Sequence, residues 1–399
     1  MKKLLLLGGS RYLLPVIERA HKKGCYVITC DYLPDNFAHK YADEYVNASI
    51  IDKDKVLAIA RQKKIDGVMS FACDPGVVTA AYVAEMLQLP RVADYEAVCI
   101  LQNKDLFRKF LYENGFNVPK AKGFSTPEEA LKKVDMYNWP IIVKPVDSAG
   151  SKGVTRVDSK DKLISAIKKA FKVSISKRII IEEFIESLGD PTDCDCFSIN
   201  GDMRCVAFSG QKFDPNAENP YTPAGFVFPS DLEIENQQAI ALDLQKLCDL
   251  LDLQTSIYNV EARVGKDGKV YLMEVSPRGG GNRLSEMIFY STGIDLIDAS
   301  ICAALGEKVE RVTTPICKGF WYEHILHSNK NGKFKSVEIN DDLMKFLIEK
   351  DIWLKNGDNV SSFTGANETI GTLVFKFPTK EIMDEVLKKI TTKIEVVVE

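Results

Sequence analysis

Short apolar runs alternate with amphipathic stretches along the first 95 residues of the chain. The apolar runs have the length of buried strands and lie at 4–7, 26–30 and 67–71. The amphipathic stretches have the spacing of helices and lie at 15–23, 55–63 and 77–87. Because strands and helices alternate, residues 1–95 are predicted to form a doubly wound α/β domain with a small parallel sheet.

Beyond residue 95 the pattern predicts a helical linker at 96–118, a larger domain at 119–310 and a smaller α+β piece at 311–399. Within 119–187 the predicted order is strand, helix, strand, glycine-bearing loop, strand, helix and strand. The elements predicted after it are a hairpin at 194–212 turned by Asn200-Gly201, an irregular loop at 214–230 with four prolines, a helix at 234–251, strands at 254–264 and 269–275, and a helix at 282–292.

The composition is that of a globular chain with balanced charge. Of the 399 residues, 45% are hydrophobic and 27% are charged, and the formal net charge is −4. These values exclude a wholly disordered or coiled-coil chain, and they give no support to nucleic-acid binding through bulk positive charge. At about 100–200 residues per domain, the length predicts two to three domains.

Cysteine usage and the apolar runs predict a cytoplasmic protein that does not enter a membrane. No apolar run reaches the roughly 18 residues that a spanning helix needs. The first ten residues, MKKLLLLGGS, begin like a signal peptide, but the apolar part is short and ends at Gly8-Gly9, so a first strand is predicted. The ten cysteines form no paired CxxC motifs, which favours reduced, buried thiols.

Two segments of the larger domain have residue types that suit a nucleotide. Lys144 ends an apolar strand and is followed by a small, glycine-bearing loop at 147–154, whose backbone amides could surround phosphate oxygens. A lysine beside such a loop can neutralise the same phosphates. About 30 residues later, the apolar strand 179–181 runs into Glu182 and Glu183, and such a strand end could bind adenine through its backbone and ribose through a carboxylate.

Two later strands each carry a glutamate and together suggest a metal site. Glu261 lies in Asn-Val-Glu-Ala-Arg, and Glu274 lies in Met-Glu-Val-Ser-Pro-Arg-Gly-Gly-Gly-Asn-Arg. If the strands pair, the two carboxylates converge, and they repel each other unless a cation neutralises them. Mg²⁺ commonly takes one or two carboxylates together with substrate phosphates. Arg278 and Arg283 flank the triple glycine and could hold a carboxylate or an acyl phosphate.

These elements, in this order, resemble the ATP-grasp superfamily, and the resemblance covers nearly the whole chain. It rests on Lys104 in Asn103-Lys104-Asp105, Lys144 with its loop, the Glu182–Ile185 segment, and the Glu261/Glu274 pair. The resemblance implies an N-terminal doubly wound domain, a two-lobed ATP-grasp core with its lid lobe at about 119–187, and a small C-terminal α+β piece.

The resemblance also implies roles for individual residues. Lys104 and Lys144 would contact ATP phosphates, and the lid over them would contain Ser148, Gly150, Ser151, Lys152 and Gly153. Adenine would lie against Glu182, Glu183, Phe184 and Ile185, and Asp193 or Asp195 would contact the ribose or the lid. Glu261, Glu274 and Ser276 would hold Mg²⁺, which Mn²⁺ could replace. Arg278 and Arg283 would act at the acyl phosphate.

One departure from the superfamily concerns the metal site. Many members have asparagine two residues after the second metal glutamate, where this chain has Ser276. The sequence leaves open whether one or two Mg²⁺ ions bind.

The closest subfamily resemblance is to the L-amino acid ligases, which join a carboxylate and an amine through an acyl phosphate. It rests on Pro277-Arg278-Gly279-Gly280-Gly281, on Thr292-Gly293-Ile294-Asp295 and on the segment 357–371. The implied partners are a small-molecule carboxylate and an amine, without nucleic acid or membrane, and a homodimer is compatible with the superfamily. Two alternatives remain: a purine-biosynthesis enzyme with a phosphate site near Gly8–Arg11, and a non-catalytic ATP-binding protein. His324 and His327 are predicted to be structural or solvated.

Overall fold

The computed structural model of the chain describes residues 1–147, 150 and 152–399. The chain forms two compact units that interleave along the sequence. Unit 1 contains Met1–Val118, Asp193–Ala207 and Glu233–Pro315, and unit 2 contains Pro119–Thr192, Phe208–Leu232 and Ile316–Glu399. The linear domain boundaries drawn from the sequence remain a prediction.

The first part of unit 1 is an α/β domain. Its elements are β1 (Lys3–Leu7), α1 (Leu14–Lys22), β2 (Tyr26–Asp31), β3 (Glu44–Asn47), α2 (Lys53–Lys63), β4 (Gly67–Ser70), α3 (Asp74–Met86), α4 (Tyr95–Gln102) and α5 (Lys104–Glu113). The first four strands form a parallel sheet in the order β3-β2-β1-β4, as the doubly wound pattern predicts. Strand β3 was not predicted, because it has only four residues and none of them is fully buried.

The first part of unit 2 has the predicted order of elements. They are β5 (Ala121–Phe124), α6 (Pro127–Lys133), β6 (Ile141–Pro145), β7 (Thr155–Val157), α7 (Lys160–Val173) and β8 (Ile179–Glu183). The strands form an antiparallel sheet in the order β5-β8-β6-β7. One face of this sheet, including Ile141, Val143, Ile179 and Ile181, is buried in a core with residues of α6 and α7.

The middle of the chain contributes to both units. Its elements are β9 (Thr192–Ile199), β10 (Asp202–Phe213), β11 (Pro223–Phe228), α8 (Ile234–Leu250), β12 (Ser256–Val264), β13 (Val270–Ser276), α9 (Leu284–Thr292) and α10 (Leu296–Ala304). In unit 1 the strand order is β13-β12-β9-β10. The hairpin between β9 and β10 turns at Asn200 and Gly201, whose φ angles are 52° and 85°, as such a turn requires.

The prediction that 214–230 is wholly irregular is wrong, because β11 lies within it. Its proline is the first residue of the strand, a position where a missing N–H is tolerated, and the residues after it are buried. Phe226 and Val227 pair with both neighbouring strands. Four prolines therefore concealed a short buried strand.

The C-terminal part of unit 2 is the predicted α+β piece. Its elements are β14 (Phe320–Leu326), β15 (Gly332–Ile339), α11 (Asp341–Met344), β16 (Leu347–Ile352), β17 (Asn359–Val360), β18 (Gly371–Phe377), α12 (Lys380–Leu387), α13 (Ile390–Lys393) and β19 (Ile394–Val398). In unit 2 the strands run β10-β11-β14-β18-β16, and a second sheet has the order β17-β15-β19.

Among the described residues, no individual helix has the length and apolar character to cross a membrane, although α9 and α10, bent by 119°, satisfy that test as a pair.

Candidate active site

The predicted site residues fall into two sets, one in each unit. The set in unit 2 is Lys144, Gly150, Lys152, Gly153 and Glu182–Ile185. The set in unit 1 is Lys104, Asp193, Glu261, Glu274, Ser276, Arg278 and Arg283. Ser148 and Ser151, which were predicted to contact ATP, lie outside the described residues.

Lys144 and Glu182 form a buried ion pair in unit 2. Lys144 lies opposite Ile180 and Glu182 lies opposite Ile142 in the β6–β8 ladder, so the charged side chains are diagonal neighbours on one face. Lys144 Nζ donates to Glu182 Oε1, and the two side chains are only 11% and 2% exposed. The Glu182 carboxylate therefore holds the lysine ammonium in place, a role that the sequence did not suggest.

Hydrogen bonds within the chain occupy part of the backbone just after β8. The Glu183 N–H donates to Lys120 O at 2.9 Å, and the Phe184 N–H donates to Pro140 O at 3.0 Å. The Glu183 carboxylate accepts from the Asn138 backbone at 2.8 Å, so it fixes the local chain. Within the described part of the chain, the Ile185 N–H makes no hydrogen bond. Ile185 is thus the residue best suited to bind the edge of a base.

Two residues that the sequence did not single out lie beside this segment. The Arg156 guanidinium lies 4.4 Å from the centre of the Phe184 ring. Tyr221, from the segment between β10 and β11, meets the same ring edge-on with centroids 6.5 Å apart. Together these side chains form an aromatic and cationic wall of the kind that packs against planar groups.

The glycine-bearing loop of unit 2 contributes three described residues. Gly150 and Gly153 have φ angles of 66° and 74°, and Lys152 between them is exposed. A Cβ atom at Gly153 would lie 3.1 Å from Pro145 and 3.2 Å from Val173. Glycine is therefore required there by both conformation and space.

Glu261 and Glu274 lie directly opposite each other in the β12–β13 ladder of unit 1. Each carboxylate contacts one cationic side chain: Glu261 accepts from Arg263 at 3.0 Å, and Glu274 Oε2 lies 3.1 Å from Lys104 Nζ. The predicted convergence of the two glutamates is present in the geometry. Their role as metal ligands remains a prediction.

Two further carboxylates lie on β9, the strand beside β12. Burial, followed by the charges of Asp195 and Glu261, raises the pKa of Asp193 to about 8. Burial also raises the pKa of Asp195, to about 6, although hydrogen bonds oppose the shift. Asp195 accepts from the Gly280 N–H at 2.9 Å and from Ser285. Asp195 thus fixes the triple-glycine turn, and the role predicted for Asp193 at the nucleotide stays a prediction.

The carboxylates of unit 1 fit a divalent cation held partly by other ligands. Within residues 1–147, 150 and 152–399, no group of three or more His, Cys, Asp or Glu side chains has the arrangement of a metal site. Glu261 and Glu274 nevertheless provide the two carboxylates that Mg²⁺ usually takes together with phosphates and water. Burial is the main cause of the raised pKa of Asp193, and the charges of Asp195 and Glu261 add to it, so a cation nearby would favour the ionised carboxylate.

Arg278 is buried and is held by Asp74, a residue that the sequence did not identify. Its Nε and Nη2 donate to the two Asp74 carboxylate oxygens at 2.9 and 2.8 Å. The Ser276 hydroxyl donates to Asp74 at 2.9 Å and accepts from Gln102 at 2.7 Å. Ser276 is therefore engaged by two side chains, and its predicted role as a metal ligand remains untested. Asp74 begins a helix just after a parallel strand, a position where ligand sites often form. That position is the feature of the sequence from which Asp74 could have been identified as a site residue.

Arg283 has a backbone conformation that is costly for a residue with a side chain. Its φ is 58°, and that of Asn282 is 49°. The Arg283 side chain is 8% exposed and pairs with Glu286 at 3.0 Å, and Asn282 accepts from Tyr12 at 2.9 Å. Strained residues concentrate at functional sites, which is consistent with a role for this turn in binding.

The comparisons with known proteins agree with this architecture. Residues 137–286 match the sequence family described as ATP-grasp domain. The L-amino acid ligase from Bacillus licheniformis has a similar structure, with a TM-score of 0.82, 22% identity and coverage of 100% of this chain and 99% of that one. At this identity the likeness shows the fold alone.

Two curated relatives differ in how much of their own length the match covers. The formate-dependent phosphoribosylglycinamide formyltransferase of Parasynechococcus marenigrum (strain WH8102) is 26% identical over 317 residues, which is 78% of this chain and 79% of that protein. The carbamoyl phosphate synthase large chain of Thermoanaerobacter sp. (strain X514) is 26% identical over 268 residues, or 66% of this chain, and the match spans only 24% of that protein.

Residues 137–286 of the chain therefore match an ATP-grasp domain, and its mixed α/β fold is similar to that of the L-amino acid ligase along the whole length of the chain. The predicted fold class is confirmed. The relatives are ligases and transferases with different substrates, so the reaction of this chain has to be argued from its own residues.

Proposed function

We propose that the chain is an ATP-dependent carboxylate–amine ligase that forms an amide bond through an acyl phosphate and releases ADP and phosphate. The single observation that carries the proposal is the Glu261/Glu274 pair with Lys104 on one carboxylate. Paired carboxylates beside a lysine are suited to bind the Mg²⁺ complex of the ATP triphosphate. A protein that only binds a nucleotide does not need them. The proposal rests also on Arg278, a buried cation suited to an anionic substrate.

The proposed reaction has two steps. A substrate carboxylate attacks the γ-phosphorus of ATP, and the bond to ADP breaks, which gives an acyl phosphate. An amine then attacks the acyl carbon, phosphate leaves, and the amine loses a proton. Phosphoryl transfer of this kind needs positioning and charge neutralisation more than a protein nucleophile.

The residues of the chain would share this work. Lys144, fixed by Glu182, would neutralise the phosphates, and Ile185 would donate its N–H to adenine. Glu261 and Glu274 would hold Mg²⁺, which supplies positive charge that offsets repulsion between the phosphates and an incoming carboxylate. Arg278 would hold the acyl phosphate oxygens by charge-assisted hydrogen bonds.

The N-terminal turn bears on the alternative of a phosphoribosyl substrate. A purine-pathway substrate would need a phosphate site at Gly8–Arg11. The space that a Cβ atom of Gly9 would enter is filled by His39, whose Cε1 would lie 2.5 Å away, and by Asn36 at 2.7 Å. The Arg11 guanidinium stacks on Phe37 at 3.6 Å. These contacts fill the side-chain space beside Gly9 and orient the Arg11 guanidinium, which keeps its charge, so the test below has to include phosphoribosyl amines.

The proposal is tested with hydroxylamine, which intercepts acyl phosphates and makes knowledge of the natural amine unnecessary. The purified protein is incubated with ATP, Mg²⁺, hydroxylamine and a carboxylate pool that contains the twenty proteinogenic L-amino acids and common mono- and dicarboxylic acids. We expect pool-dependent ADP release with an equal amount of hydroxamate, and loss of both in a folded Glu274→Gln variant. Turnover only with phosphoribosyl amines, or ADP release without hydroxamate, would contradict the proposal.

A further inference from the structure

Asp74 is the acidic residue in the first turn of α3, just after β4 of the parallel sheet. The turn between them packs on the triple glycine: the Ala72 N–H donates to Gly279 O at 3.1 Å. Asp74 thus belongs to the N-terminal sheet, whereas Arg278 follows β13, and both lie in unit 1.

The contacts of Arg278 leave a defined part of its guanidinium available. An arginine side chain has five N–H groups. Nε and Nη2 each donate once to Asp74, and Nη1 donates to Gly279 O at 3.0 Å. Among the described residues, one N–H on Nη1 and one on Nη2 have no acceptor. Two guanidinium N–H groups can donate to the oxygens of a carboxylate or a phosphoryl group.

We infer that Asp74 is a positioning residue of the ligase reaction: its carboxylate fixes the Arg278 guanidinium so that the remaining Nη1 and Nη2 N–H groups receive the substrate carboxylate or the acyl phosphate. The inference rests on the proposed function, because it assigns Arg278 to the reacting anion. It adds a residue from the N-terminal sheet that does not itself touch the substrate.

The surroundings of Asp74 hold the carboxylate in one orientation. Ser276 donates to the same oxygen that receives Arg278 Nε, and Gln102 donates to Ser276. The charge of Lys104 also acts on Asp74. With three donors on two oxygens, the carboxylate cannot rotate without the loss of at least one hydrogen bond.

A stabilising role alone does not account for this arrangement. The side chains of Arg278 and Asp74 are only 9% and 18% exposed, and buried ion pairs are often no more stable than apolar residues of similar volume. A pre-organised guanidinium, however, loses less conformational freedom when it binds an anion. Positioning is therefore the property that the geometry favours.

The test is a kinetic comparison of Asp74→Asn and Asp74→Glu with the matched control Asp54→Asn. Asp54 also lies in the first turn of a helix of unit 1, and its side chain accepts from the Tyr82 hydroxyl. The assay is the ADP and hydroxamate assay with the carboxylate pool, in which total pool concentration and ATP are varied separately. Circular dichroism and thermal denaturation report the fold.

We expect Asp74→Asn to lower kcat/KM for the pool about tenfold to a hundredfold, with the KM for ATP unchanged, because charge-assisted hydrogen bonds that fix Arg278 are lost. Asp74→Glu keeps the charge but moves the carboxylate by about one bond length, ~1.5 Å, and should also lower kcat/KM. In an Arg278→Lys background, Asp74→Asn should have less than about a twofold effect, because the two residues act as a unit.

The outcomes separate this inference from the proposed function. A wild-type protein without hydroxamate formation overturns the proposed function, and the inference with it. If the wild-type protein turns over normally and both Asp74 variants have the same kcat/KM as Asp54→Asn, the inference is overturned and the proposed function is not. Additive effects of Asp74→Asn and Arg278→Lys likewise refute it. If Asp74→Asn does not fold, the kinetics of Asp74→Glu decide: wild-type values reject positioning, and a selective fall in kcat/KM for the pool supports it.

Discussion

Replacement of Gly279 with alanine should both destabilise the protein and impair its turnover. A Cβ atom at Gly279 would lie 2.3 Å from two ring atoms of Phe71. Such a distance is far below van der Waals contact, so either the ring or the turn must move. The Phe71 ring is only 3% exposed, so it cannot move aside without repacking of its neighbours.

The magnitude follows from overpacking, with a correction for the unfolded chain. Forcing extra volume into a packed core typically costs about 1–3 kcal/mol. Gly281 provides the matched control, because a Cβ atom there has no neighbour within 4 Å. An alanine at such a position loses less entropy on folding and stabilises by roughly 0.4–1 kcal/mol. Because both substitutions gain this entropy term, it cancels, and Gly279→Ala should be about 1–3 kcal/mol less stable than Gly281→Ala.

Chemical denaturation of the two variants measures this difference, and the hydroxamate assay measures its functional consequence. Movement of the turn shifts Arg278, so kcat/KM for the carboxylate should fall in Gly279→Ala. Equal stability of Gly279→Ala and Gly281→Ala would refute the close packing of Phe71 on the turn. A destabilised variant with unchanged kcat/KM would refute the link between the turn and the reaction.

Three further predictions concern charge and strain. Arg283→Gly should be about 1 kcal/mol more stable than Arg283→Ala, because a left-handed residue with a Cβ costs roughly 1–2 kcal/mol; equal denaturation midpoints would contradict the strain at φ 58°. Glu182→Gln should destabilise the protein by about 3 kcal/mol, because it removes the buried carboxylate that pairs with Lys144. Glu183→Gln changes a more exposed carboxylate and should cost less than about 1 kcal/mol. Equal losses of stability in the two variants would contradict the burial of the Lys144–Glu182 pair. Asp193 has a pKa of about 8, above its value in the unfolded chain, so its contribution to stability falls as pH rises from about 4 towards 8. Asp193→Asn should remove that loss, which melting temperatures measured across this pH range in EDTA test. The same pH dependence of the melting temperature in the variant and the wild type would refute the prediction.

The parallel sheet of unit 1 and the antiparallel sheet β5-β8-β6-β7 of unit 2 were predictable because their residues follow simple periods. Strand β6 illustrates this, since alternate residues Ile141 and Val143 enter the core and Lys144 falls on the other face. Strand β11 was not predictable, because its neighbours come from distant parts of the chain and prolines obscure its pattern. Local sequence carries the propensity of a segment to form a strand, but it does not show which distant strands will pair with it.

The same distinction applies to the candidate site. The Glu261/Glu274 pairing could be predicted because a hairpin fixes register over a short distance. The partners of Arg278 could not, since Asp74 lies 204 residues away in the chain. The partner of Glu182 was missed for a related reason: the strand pattern places the residue but not the side chain that it contacts.

The most direct test of the central claim follows oxygen atoms from the carboxylate to the phosphate. Once the pool has identified the acid, it is prepared with ¹⁸O in both carboxylate positions and incubated with ATP, Mg²⁺ and an amine. An acyl phosphate requires one ¹⁸O atom in each phosphate released, because the carboxylate oxygen bonded to phosphorus leaves with it. Phosphate without ¹⁸O, formed at the rate of ADP release, would show that ATP is cleaved without activation of the carboxylate and would contradict the account.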